Sequence, residues 1–126
     1  MRPISLAEVA RLTLGGDIFD RCLANFLDEF YFSPNQAALA EVPALLAPVL
    51  GELGRVQDAY LAATAEELAR TYQFSCLPWT ASSERKLHQP WFASSLAALR
   101  TVLIIESPAA FRSRNLFVSA NALARA

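Results

Sequence analysis

The sequence predicts an all-α fold: a single compact helical domain over residues 1–126, with five to seven helices packed around a buried helix near 95–106. Three observations predict it. Apolar residues come in pairs every four positions, from Ile18/Phe19 through Cys22/Leu23 and Phe26/Leu27 to Phe30/Tyr31, which is the wide stripe of a core-facing helix. Leu53, Val56, Tyr60, Thr64, Leu68 and Tyr72 recur at threes and fours, the spacing of one helical face. In Leu96–Ile105 only Arg100 and Thr101 are polar, so the segment is apolar in nearly every direction and reads as the element the rest of the chain wraps.

Taken in order, Ser5 and Glu8 have the spacing of a capping box and open a short first helix, which Gly15-Gly16 ends. Asp17 is placed to cap the second helix, Ile18–Phe32, with Asp20, Arg21, Asn25, Asp28 and Glu29 largely outside its stripe. Ser33-Pro34 restarts the helix, since proline suits a first helical position. Asn35–Gly54 is broken by Pro43, Pro48, Gly51 and Gly54 and reads as two short helical pieces. The long helix follows over about 53–72. Gln73–Phe92 is the least regular stretch: an ordered loop pinned by Phe74, Trp79, Trp91 and Phe92, with a short helix near Ser83–Leu87. Pro90 and Pro108 fence the apolar helix, whose Thr101–Ile105 portion has the composition of a strand should it find partners. Ser107-Pro108 then caps a helical turn through Phe111–Arg114, and Leu116–Ala126 is expected to end in a last helix capped by Ser119.

Composition bounds the function. Hydrophobic residues make up 54% of the chain and charged residues 18%, the latter below the ~25% usual for soluble domains. Apolar surface should therefore remain for a partner or a second copy, and a homo-oligomer is expected. The net charge is −1, but residues 1–70 hold ten acids against five bases, while residues 71–126 hold two acids against six bases. Either the two halves pack with complementary charges, or the C-terminal end presents an anion-facing patch. Cys22 and Cys76 are isolated thiols rather than a disulfide framework. Glu8 and Arg11 interrupt the N-terminal apolar residues, so no secretory leader is expected. No apolar run reaches the ~18 residues of a membrane span. The expectation is a cytoplasmic protein with no membrane association.

The residues offer little chemistry. His88 is the sole histidine, the cysteines lack zinc-site spacing, and no Gly-x-Ser-x-Gly turn exists to build a triad around His88. Gly15-Gly16 is followed by Asp17, whose charge opposes phosphate. Glu66-Glu67 and Asp28-Glu29 are neighbours in sequence, point in different directions on their helices, and read as solvated faces. No catalytic residue, cofactor or metal is expected. Two constellations remain. Trp79, His88 and Trp91 in the 74–92 loop, together with Arg112, Arg114 and Asn115, are candidate contacts for a partner, small molecule or nucleotide. Glu106 is placed either to clasp Arg112 or Arg114 and fix how the tail docks, or to leave those arginines for a partner's acidic groups. A cluster of two arginines does not by itself support nucleic-acid binding.

Pro78-Trp79, then Leu87-x-x-Pro90-Trp91-Phe92, then Ser107-Pro108-Ala-Ala-Phe111-Arg112-x-Arg114-Asn115-x-Phe117-Val118 resembles a loosely described group of small bacterial proteins over roughly residues 60–126. In that group the segment often follows a helix-turn-helix domain, and some members pair with a nucleotidyltransferase-like toxin. No separate helix-turn-helix domain is visible upstream here. The resemblance carries no catalytic residues across and implies a partner-binding role. The expectation is a non-enzymatic, antitoxin-like interaction module that neutralises or regulates a partner protein. The alternative is a small-molecule or nucleotide-binding protein, with or without enzymatic activity, built on the aromatic loop and the C-terminal arginines.

Overall fold

The computed structural model describes residues 2–75, 77–94 and 96–125, so Cys76 lies outside the described residues. The protein is all-α, as expected. Its helices are α1 (Leu6–Leu14), α2 (Phe19–Phe32), α3 (Ala37–Ala40), α4 (Ala47–Leu50), α5 (Glu52–Thr71), α6 (Ala97–Glu106) and α7 (Ala109–Arg112). Two short 3-10 turns, Pro78–Ala81 and Ser83–Arg85, follow α5. Two-residue strands β1 (Trp91–Phe92) and β2 (Leu116–Phe117) pair in parallel, Trp91 with Leu116 and Phe92 with Phe117.

Helix α1 begins at the expected capping box. Ser5 Oγ accepts the Glu8 amide at 3.1 Å, and Glu8 reaches back to the Ile4 amide at 3.1 Å. Gly15 ends it, and Gly16 takes φ 106°, a left-handed value at which any side chain is strained. The two helices after it start differently from expectation. Ile18 sits at the N-cap of α2, while Asp17 accepts the Ile18 amide and pairs with Arg21. Helix α3 begins at Ala37 rather than at Ser33-Pro34, where Asn35 Oδ1 takes the free Ala37 amide at 2.9 Å.

The buried centre is α5 and not the helix near 95–106. Ala59, Leu61, Ala62, Ala63, Thr64, Ala65, Leu68 and Ala69 are all buried. Small residues let neighbours approach from several sides, and α4, both 3-10 turns, α7 and β2 all pack on this helix. The approach is closest at Gly54, where a Cβ would lie 2.5 Å from the Leu46 carbonyl oxygen. One turn on, the fully buried Asp58 accepts the amides of Leu46 at 2.7 Å and Ala47 at 3.1 Å, satisfying donors at the start of α4. Arg85 enters the same corner from the second 3-10 turn and donates to the carbonyls of Pro43 and Asp58.

The C-terminal tail also differs from expectation. Instead of a last helix capped by Ser119, it forms β2 and then turns, with Ser119 Oγ donating to Asn121. Strand pairing and side-chain ties hold it: Tyr31 donates to the Leu123 carbonyl at 2.9 Å, and Arg125 pairs with Asp28 at 2.9 Å. With Arg114–Glu66, two ion pairs now join the basic C-terminal half to the acidic N-terminal half, the complementary packing that the charge asymmetry allows.

Candidate functional site

The residues singled out in the sequence do not converge on one pocket. Trp79 is half-buried; its indole Nε1 donates to the Leu39 carbonyl at 3.0 Å, and the Arg85 guanidinium lies 4.9 Å over its ring. Both are uses of an aromatic as a loop anchor. Trp91 lies in β1, where its amide donates to Asn115 at 2.8 Å, and its side chain lines a cleft that none of the other five candidates reaches. His88 and Arg112 are exposed, and Arg112 forms no ion pair among the described residues. Asn115 takes φ 64°, which asparagine tolerates, and its Nδ2 donates to the Leu87 carbonyl at 2.7 Å. That bond and Leu87 N–H to Arg114 at 3.2 Å stitch the aromatic loop to the chain before β2.

The expected clasp between Glu106 and Arg112 or Arg114 does not form. Arg114 is only 3% exposed and points the other way, donating to the carbonyls of Ala110 and Thr80 at 2.7 Å each and pairing with Glu66 on α5 at 2.7 Å. Its planar fork suits this work, since one group meets three acceptors on three elements. Glu106 instead accepts the Ala120 amide at 3.1 Å. The tail is held at this point, but by a backbone amide donating to the Glu106 carboxylate rather than by an ion pair. Glu66, read as part of a solvated face, is half-exposed and supplies the anion that Glu106 was expected to supply.

The unexpected surface is α6. Its sequence is that of a core segment, yet within the helix Leu103 alone is buried, at 8% exposure, while Ile105 reaches 73%. Leu96, Leu99, Val102 and Ile104 are exposed as well. Among the described residues the helix is fixed along the edge that faces β2. Ser107 Oγ donates to Leu103 and takes the Val118 amide at 2.8 Å, Phe92 and Phe117 stack at 5.0 Å beneath, and Arg100 lies 5.2 Å over the Phe92 ring. The correction has a physical cause. The core beside α5 is already filled by α2, α7 and the loop aromatics, so α6 finds one apolar seat and leaves its remaining faces to solvent. Leu96, Leu99, Val102, Ile104 and Ile105 thus lie exposed on or beside one short helix.

Other chemistry is sparse. Cys22 is buried, and burial raises its thiol above the usual range, so it is not poised as a nucleophile. No group of three His, Cys, Asp or Glu side chains that could hold a metal occurs among the described residues. No helix among them is long and apolar enough to cross a membrane. No family model, curated protein or solved structure matches the chain.

Proposed function

We propose that this chain is a non-enzymatic protein-interaction module and that α6 is the element its partner grips. One observation supports the reading above all: a ten-residue helix with a core composition presents Leu99, Val102, Ile104 and Ile105 to solvent. An exposed helix with apolar residues at threes and fours is the donor half of helix-in-groove recognition, and a partner with an apolar groove is the complement it fits. In the partner's absence the same face joins two copies of the chain, in keeping with its low charge content. The resemblance of residues 60–126 points to the setting: an antitoxin-like role, neutralising or regulating a bacterial partner in the cytoplasm, with a nucleotidyltransferase-like toxin as the partner class to test first. The alternative, a ligand pocket made by Trp79, His88, Trp91, Arg112, Arg114 and Asn115 together, is disfavoured because these residues are dispersed and most serve the fold.

The test is a double substitution, Val102→Glu with Ile105→Lys. Both positions are exposed, so the variant should melt within a few degrees of wild type. It should sediment as a monomer at concentrations where wild type associates, and it should lose the protein that co-purifies with the wild-type chain from its source cell. Retention of the same partner by a folded variant would sink the proposal, and so would a large drop in melting temperature, which would make α6 part of the core.

A further inference from the structure

A cleft lies between α2 and α5, bordered by β1 and the C-terminal tail, with a volume of about 490 Å³. Phe19, Leu23 and Leu27 line it from α2, Leu53 and Val56 from α5, and Trp91 from β1. The α2 row repeats every four residues and extends about 12 Å along its helix, at ~1.5 Å per residue. On α6, Leu99, Val102 and Ile105 repeat every three residues and extend about 9 Å. These three are exposed at 43%, 47% and 73%, and Leu53 on the cleft wall is 63% exposed. A short apolar row on one helix and an apolar groove of similar length between two others are the two halves of helix-in-groove recognition.

Charge agrees with this match. Asp20 lines the cleft, is exposed and forms no ion pair among the described residues, whereas Arg125, the other charged residue of the lining, is taken by Asp28. Arg100 is the base of α6, is exposed and likewise forms no ion pair among the described residues. The groove thus carries a spare negative charge and the helix a spare positive one. The two surfaces are also neighbours. Helix α6 packs on β2, and the cleft takes Trp91 from β1 and Val118 from just after β2, yet no described residue of α6 lines the cleft of its own chain. Two copies related by a two-fold axis can therefore exchange helices reciprocally. Such a pair closes on itself, whereas a one-way insertion would grow an open chain.

We propose that this cleft receives α6 of a second copy of the chain: Leu99, Val102 and Ile105 enter the partner's groove, Arg100 meets the partner's Asp20, and the same contact forms in reverse. This arrangement rests on the reading of α6 as a gripped helix and supplies its receiving surface.

The experiment is sedimentation equilibrium of the full chain and its variants, beside thermal melts. Leu53→Glu changes an exposed residue in the first turn of α5, where an acid suits the helix, so it should melt within a few degrees of wild type. It should nevertheless weaken self-association tenfold or more, because the contact would bury an unpaired carboxylate. Asp20→Arg and Arg100→Glu, both at exposed positions, should each weaken it about fivefold, and the double reversal should regain most of the wild-type affinity. Self-association that survives Leu53→Glu but is abolished by Val102→Glu with Ile105→Lys would mean that two α6 helices pair face to face, and would overturn the proposal. Charge reversals that fail to rescue one another would overturn it too. A wild-type chain that stays monomeric at every accessible concentration would overturn it as well, while leaving the grip of α6 by a foreign protein to its own co-purification test. Should Leu53→Glu not fold, the charge reversal decides the matter.

Discussion

Arg114→Ala is the most revealing single change in the fold. The guanidinium is buried and serves the Thr80 carbonyl, the Ala110 carbonyl and the Glu66 carboxylate, each at 2.7 Å. Removing it strands the Thr80 carbonyl, at about 1–3 kcal/mol for a buried acceptor left unmade. The Ala110 carbonyl keeps the Ser113 hydroxyl at 3.2 Å, so its loss is smaller. Glu66 is 48% exposed and returns to water, so its share is near the ~1 kcal/mol of a surface pair. Against these losses stands one gain: Arg114 Nε is itself buried without a partner, and that cost disappears with the side chain. The expected net loss is about 3 kcal/mol, or roughly 10 °C in melting temperature for a chain of this size. Glu66→Ala should cost about 1 kcal/mol, and the double variant should lose less than the two single losses added. Glu106→Ala, which removes one exposed bond to Ala120, should cost about 1 kcal/mol and add independently to Arg114→Ala. Chemical denaturation of the five variants, Arg114→Ala/Glu106→Ala included, measures all of this. A loss under ~1 kcal/mol for Arg114→Ala, or coupling of Glu106 rather than Glu66 to Arg114, would refute the assignment of the clasp.

Two further outcomes follow from the centre of the fold. Gly54→Ala should destabilise by about 1–3 kcal/mol in denaturant titration despite alanine's helix propensity, because the added Cβ meets the Leu46 backbone rather than a yielding side chain. The Tyr60 hydroxyl is pushed up to about 12 by burial, aided by the negative charge of Asp20. The folded state therefore keeps a proton that the unfolded chain loses near pH 10, so this contribution is complete below pH 10 and disappears as pH rises toward about 12. Tyr60→Phe should flatten the alkaline loss of stability across that window, read by thermal melts at stepped pH.

How much of this was legible in the sequence depended on what each residue type advertises. Helix α2 was legible because Phe26, Leu27 and Phe30 are large and periodic, and the capping pair Ser5/Glu8 worked as its spacing implies. The extent of α5 was legible too, but its place at the centre was not. Ala59, Ala62, Ala63 and Ala65 carry little hydropathy, and what puts them inside is their small size, which shows only when neighbours are in place. For α6 the error ran the other way: Leu99, Val102 and Ile105 advertise burial strongly, but within the chain only Leu103 finds a seat. The shortage of charge was the usable warning, since it said that apolar surface would be left over without saying where. The clasp failed for a geometric reason. Glu106 and Arg114 flank the short helix α7, and the Arg114 side chain leaves toward α5, a direction that no local spacing encodes.

The parallel pairing of β1 with β2 has a consequence for α6. Two parallel strands cannot be joined by a tight turn, so the chain between Phe92 and Leu116 must leave, climb and come back. Helix α6 belongs to that excursion, and both feet of the excursion are fastened: Ala93 donates to Phe117 at 2.9 Å on one side, and Ser107 is bonded to Leu103 and Val118 on the other. The molecule thus divides its sequence requirements. Positions at the feet answer to the fold, whereas the outward positions of α6 are exposed and carry little of its packing. Such an arrangement lets the outward face of α6 be rewritten, residue by residue, while the platform that carries it stays the same.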